Sequence, residues 1–206
     1  KIFDCFFDNI TIIKTGPRQS GKTTFLKHEF KNTHKFVSLE EPDLRQRIKE
    51  DPKGFFEIYK PPIIIDEIQY APELLSYIKV LIDNNRKPGM WLLTGSQNFT
   101  LMHNVSQSLA GRIAVLELLP FCLSEITGNA KGSLSSENLL KKEAFSKAKN
   151  KYKINIANWI LKGSYPEPNV NLKVNRKLWC SSYIATYLER DVRQIRNISD
   201  LSLFQK

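Results

Sequence analysis

The chain has 206 residues, 41% of them hydrophobic, with a formal net charge of +10. That is enough apolar content for one well-buried α/β domain with a small second lobe. No apolar run approaches the length of a membrane span and no signal-peptide pattern opens the chain, which excludes a membrane-spanning reading and points to the cytoplasm.

The basic balance favours anionic partners such as nucleic acid or anionic lipid, or serves solubility alone. Cys5, Cys122 and Cys180 are far apart, without metal-ligand spacing, and suit a reducing compartment as buried or idle thiols. His28, His34 and His103 form no cluster and read as surface or helix residues. The chain does not begin with Met and stops without a closing element, so it reads as a piece of a longer protein.

In chain order, Phe3, Phe6 and Phe7 are expected to cover one edge of the core, and Ile10–Ile13 is a β-branched run that predicts a buried strand. The next stretch organises the rest. Gly16-Pro17-Arg18-Gln19-Ser20-Gly21-Lys22-Thr23 satisfies G-x-x-x-x-G-K-[ST], and Thr24 continues it into a helical segment with Phe25, Leu26 and Phe30 on one face. The two glycines let the backbone curl so that successive N–H groups point inward as a nest for an anion. The loop then opens onto a helix N-terminus, which also favours negative charge. Within residues 16–24, the candidate phosphate-binding set, Lys22 can reach terminal phosphates and the Thr23 hydroxyl can ligate magnesium.

His34–Leu39 predicts a second strand, and Asp43 a helix N-cap. Gly54 is expected to break the pattern before the next strand. Pro61-Pro62-Ile63-Ile64-Ile65-Asp66-Glu67 is the second strong signal. Its continuous β-branched run predicts a parallel strand buried on both faces, ending in two carboxylates where open α/β sheets place their chemistry. In this Walker B arrangement Asp66 is expected to hold magnesium with Thr23, and Glu67 to polarise an attacking water. Leu74, Leu75, Ile78, Leu81 and Ile82 form the apolar stripe of a following helix, with Pro72 in its first turn. Met90–Ser96 predicts another buried strand, and Thr94 and Ser96 at its end are expected near the γ-phosphate as sensors, a simple turn at Gly95 being the plain alternative.

Leu101–Leu109 reads as a helix and Ile113–Leu119 as the last core strand. Arg112, just before that strand, is read two ways: acting on phosphate charge, within or across subunits, or serving as a structural surface arginine. Residues 129–150 form a Lys- and Ser-rich connection whose charges read as a solvated face. Ile154, Ile156, Ile160 and Leu161 suggest an amphipathic helix around Trp159, Gly163–Pro168 a firm break, and Trp179, Tyr183, Tyr187, Leu188 and Ile195 a long helix in a lid. Glu189 and Arg193 read as a favourable pair one helical turn apart; Arg190, Arg193 and Arg196 read as a solvated face before a contact to nucleotide or nucleic acid. The expected organisation is 1–128 as a nucleotide-binding core, 129–150 as the connection and 151–206 as a helical lid.

Together GPRQSGKTTFLK, PPIIIDEIQYAPELLSYIKVLID, LLTGSQNFTLMHNVSQSLAGR with LELLP, GSYPEP and YLERDVRQIRNISDL resemble the prokaryotic AAA-superfamily ATPases. The resemblance implies a P-loop core with strand order 5-1-4-3-2, and ATP with Mg2+ as ligands. It carries phosphate and metal to Lys22 and Thr23, metal to Asp66, catalysis to Glu67 and the sensor position to Thr94 and Ser96. It also marks Arg112 as the S-L-A-G-R arginine. Members usually continue into a C-terminal domain of unknown function, which is expected to be absent here. The function implied is ATP hydrolysis that drives conformational change. A slow nucleotide-gated switch is the alternative. A small-molecule kinase fits less well, because an acid directly after Asp66 suits water activation. Nucleic acid and a second copy of the chain stay open as partners.

Overall fold

A computed structural model of the chain describes residues 11–95, 109–126 and 156–187. Described residues up to Leu119 form one compact unit, and those from Pro120 a second.

The first unit is a five-stranded, all-parallel sheet in the order β2-β3-β4-β1-β5, with β1 Thr11–Thr15, β2 Lys35–Ser38, β3 Ile63–Asp66, β4 Trp91–Thr94 and β5 Ile113–Glu117. Parallel strands need crossovers. These are supplied by α1 Lys22–Glu29, then α2 Pro42–Glu50 with α3 Pro52–Ile58, then α4 Leu74–Asn84. The period of two divides the sheet's side chains. Ile63, Ile65, Trp91 and Leu93 join Ile48, Phe55, Leu74, Leu75, Ile78 and Ile82 in the larger core. Ile64 and Leu92 meet Leu26 of α1 in the smaller one. Strand β3 is buried along its whole length, as its unbroken β-branched run predicts.

Several local expectations change. Pro42, not Asp43, starts α2; Glu41 is its N-cap, without a side-chain cap bond, and Asp43 lies in the first turn. Gly54 does not break the chain: it sits inside α3, where its N–H donates to the Asp51 carboxylate at 2.9 Å. A Cβ at residue 54 would crowd that carboxylate, which would have to turn aside to admit it. Pro72 precedes α4, which begins at Leu74 after a 3-10 turn at Ile68–Tyr70. His34 is half-buried and takes two bonds, Nε2 to the Gly89 carbonyl at 2.7 Å and Nδ1 to the Thr33 hydroxyl at 2.9 Å.

The second unit carries α5 Leu123–Ile126, α6 Ile156–Lys162, α7 Pro166–Val170 and α8 Arg176–Tyr187. Gly163–Pro168 is not a plain break, because Pro166 supplies the preset first turn of α7. Trp179, Tyr183 and Tyr187 stack one turn apart along α8, and Tyr165 packs beside them. Ile160 and Leu161, two residues of the stripe expected of α6, are 68% and 65% exposed, and the expectation for Ile154 and the Ile156 side chain lies outside the described residues. Cys122 is a free, exposed thiol and Cys180 a partly buried one. Among the described residues no helix is long and apolar enough to cross a membrane. The expectations for Phe3, Phe6, Phe7, Ser96, most of Leu101–Leu109, the 129–150 connection, Leu188, Glu189, Arg190, Arg193, Ile195 and Arg196 lie outside the described residues.

Candidate active site

Parallel pairing brings the carboxyl ends of the strands to one edge. Ser38 is opposite Asp66, Lys14 is opposite Thr94, and Thr15 is opposite Glu117. The Gly16–Thr23 loop leaves β1 at that edge, and Asp66 ends the strand beside β4. Sequence segments more than forty residues apart thus meet because the sheet's order and direction put them there.

The loop's backbone is set by positions that few side chains tolerate. Gly16 has φ +140° and Gly21 φ +92°. A Cβ at residue 16 would fall 2.3 Å from the Leu118 carbonyl oxygen, so the turn packs directly on backbone. Gln19, at φ 59°, adopts the left-handed conformation without being glycine. Gly21 is the N-cap of α1, and no side chain caps that helix. Its first N–H groups therefore have no side-chain acceptor, the electrostatic setting that suits an anion.

Lys22 is only 6% exposed and folds back over the loop, donating to the carbonyls of Gly16 at 3.0 Å and Pro17 at 2.7 Å. Burial pushes its ammonium below the ordinary lysine range, Glu67 and Asp66 oppose that shift, and Arg18 adds to it. A phosphate beside Nζ would offset the hydration that burial removes. The Ser20 hydroxyl is buried in the same loop and has no hydrogen-bond partner among the described residues. A buried hydroxyl without a partner is costly, and a ligand oxygen would satisfy it.

The Thr23 hydroxyl reaches the Asp66 carboxylate, 3.0 Å from Oδ1 and 3.2 Å from Oδ2. Asp66 is 4% exposed and also accepts the hydroxyl of Thr94, which is wholly buried. Thr94 in turn accepts the N–H of Glu67 at 3.1 Å. Glu67 is in the left-handed region at φ 59° and ψ 50°, so the chain reverses immediately after Asp66 and enters the 3-10 turn. The Gln69 side-chain amide donates to Glu67 Oε2. Thr23, Asp66, Thr94 and Glu67 therefore form one hydrogen-bonded group beside the loop. A hydroxyl and a carboxylate are the oxygen donors that a hard divalent cation prefers. Gln69 was missed at the sequence level. Its only signal is its place two residues after a carboxylate pair.

Arg112 is not brought to this group. It precedes β5, at the other end of the strands from the loop, which follows β1 where Thr15 pairs with Glu117. Its Nε and Nη2 donate to Asp83 Oδ1 at 2.6 Å and Oδ2 at 3.0 Å, and Nη1 donates to the Ala110 carbonyl. The hydrogen bond to Asp83 holds the guanidinium above, and the Asp83 carboxyl below, their ordinary ranges.

Comparison with known proteins finds a family model described as an AAA domain over residues 8–127. A second model, a domain of unknown function (DUF8612), matches residues 154–206. This corrects the expectation that such a domain is absent. Two curated relatives, uncharacterized protein Rv2008c of Mycobacterium tuberculosis and uncharacterized protein Mb2031c of Mycobacterium bovis, are each 29% identical over 184 residues. The match covers 89% of this chain and 36% of each relative, so the chain spans about a third of their length.

Proposed function

This chain belongs to the AAA-domain family of nucleotide-binding modules, and from that premise we propose that it is a magnesium-dependent ATPase whose hydrolysis drives conformational change in the longer protein. The observation that carries the reading is the bonded group Thr23–Asp66–Thr94–Glu67 beside a loop whose lysine is buried and, among the described residues, bonded to backbone carbonyls.

The triphosphate lies along the Gly16–Thr23 backbone. Lys22 exchanges its bonds to Gly16 and Pro17 for β- and γ-phosphate oxygens, and Ser20 gains the acceptor it lacks. Thr23 and Asp66 would hold Mg2+, which when bound would supply positive charge to offset the charge of the phosphates. Glu67 accepts a proton from the attacking water, acting as general base. Thr94 ties Asp66 to the main chain of Glu67: its hydroxyl accepts the Glu67 backbone N–H and donates a hydrogen bond to the Asp66 carboxylate. Because Asp66 and the Glu67 main chain are held by Thr94 before nucleotide arrives, they need little reorganisation for the chemical step.

Phosphate release from ATP tests the proposal. The wild-type chain is expected to release phosphate with magnesium and not with EDTA. Glu67→Gln should still bind ATP while its turnover drops by about a hundredfold or more. Equal turnover of the two proteins would overturn the assignment of Glu67.

A further inference from the structure

One contact in the site has no part in that mechanism. Gln69 directs its side-chain amide at Glu67 Oε2, two residues away across the 3-10 turn. We infer that Gln69 is a positioning residue that fixes the carboxylate of Glu67 for water activation. The inference rests on the hydrolytic role proposed for Glu67.

The backbone makes the pairing possible. At φ 59° and ψ 50° Glu67 turns the chain so sharply that side chains 67 and 69 approach each other, which an extended strand end would also align but at greater separation. The turn is held from both ends. Ile68 is wholly buried and Ala71 is 1% exposed. The Tyr70 N–H donates to the Glu67 carbonyl at 3.1 Å, and the Ala71 N–H to the Ile68 carbonyl at 3.0 Å. On the outer side, the Arg45 guanidinium lies 4.8 Å over the Tyr70 ring. Gln69 is therefore a donor on a fixed platform.

The chemistry suits the role. A glutamate side chain has three rotatable bonds, and a general base works only when the accepting oxygen faces the water. The Gln69 amide occupies Oε2 and leaves Oε1 to accept the water proton. As a neutral donor it orients the carboxylate without adding a cation to the site. The Thr94 bond to the Glu67 N–H fixes the backbone of the same residue, so main chain and side chain are held by separate partners.

Single-turnover hydrolysis of ATP by the full chain tests this, with thermal melts to confirm folding of each variant. Gln69→Ala should lower the hydrolysis rate roughly ten- to hundredfold, with ATP affinity unchanged. In a Glu67→Gln background the same substitution should have no further effect. An unchanged or faster rate, a loss carried in ATP affinity, or equal slowing in both backgrounds would overturn the inference.

A readout independent of turnover separates this proposal from the one it rests on. In nucleotide-free protein, the Gln69 side-chain amide signals in a 1H–15N spectrum should shift on Glu67→Ala. If the wild type proves unable to hydrolyse ATP, a shifted signal still supports the contact, and an unmoved one refutes it.

Discussion

The Thr23 hydroxyl sits 3.0 Å from one carboxylate oxygen of Asp66 and 3.2 Å from the other, although 43 residues separate the two in sequence. Neither residue is placed by its own neighbours. Thr23 is fixed by the helix that follows the glycine-bearing loop, and Asp66 by a strand buried on both faces. Their meeting reports that loop, helix and strand have assembled at one end of the sheet.

Thr94 is the hinge of that group. Thr94→Val keeps the shape but leaves the Glu67 N–H without its acceptor and Asp66 without one donor. The expected cost is about 1–3 kcal/mol of stability, read from urea denaturation. Hydrolysis should fall more than ATP affinity does, since the Gly16–Thr23 loop is untouched.

Arg112 and Asp83 are expected to behave as a structural pair. Arg112→Ala should lower the melting temperature and leave ATP affinity unchanged, because the guanidinium is bonded to Asp83 at the end of the strands away from the loop. Asp83→Ala should reproduce most of the effect, and the double variant should cost less than the sum of the two, since both single changes break the contact that the residues share. A thermal-shift series with ATP titration checks all three proteins. A loss of turnover in Arg112→Ala alone, restored by mixing with Lys22→Ala protein, would reveal an arginine working on a neighbouring subunit.

His34 gives a pH dependence. Burial, opposed in part by the Gly89 carbonyl, holds its folded-state pKa below the ordinary histidine value. The neutral form is thus favoured by folding. This contribution is complete above the unfolded value of about 6.5 and is lost as pH falls through the lower folded value. Denaturation midpoints of the wild type should drop from pH 7 to pH 5 by more than those of His34→Gln. Parallel curves for the two proteins would remove His34 from the account.

The parts readable from sequence are those where one short stretch contains its own constraint. Gly16–Thr23 encodes a backbone shape in its glycines, and Ile63–Asp66 encodes double-sided burial in its unbroken apolar run. The nucleotide-binding family follows from the same stretches. What was not readable depends on partners. Gly54 reads as a breaker until Asp51 is seen to cap its helix. Pro166 reads as a stop until it begins α7. Arg112 reads as catalytic or structural, and its bond to Asp83, 29 residues earlier, has no signal in the sequence. Gln69 acquires meaning only through a left-handed turn at Glu67, and nothing in the residue type announces such a turn.

The central claim is that the buried ammonium of Lys22 and the Thr23–Asp66 pair receive one magnesium-bound triphosphate. Calorimetric titration of ATP into the chain, with magnesium and with EDTA, measures this directly. The account predicts saturable binding that magnesium tightens in the wild type, binding that Lys22→Ala abolishes, and binding in Asp66→Asn that no longer responds to magnesium. Equal ATP affinity in wild type and Lys22→Ala, both folded, would contradict it.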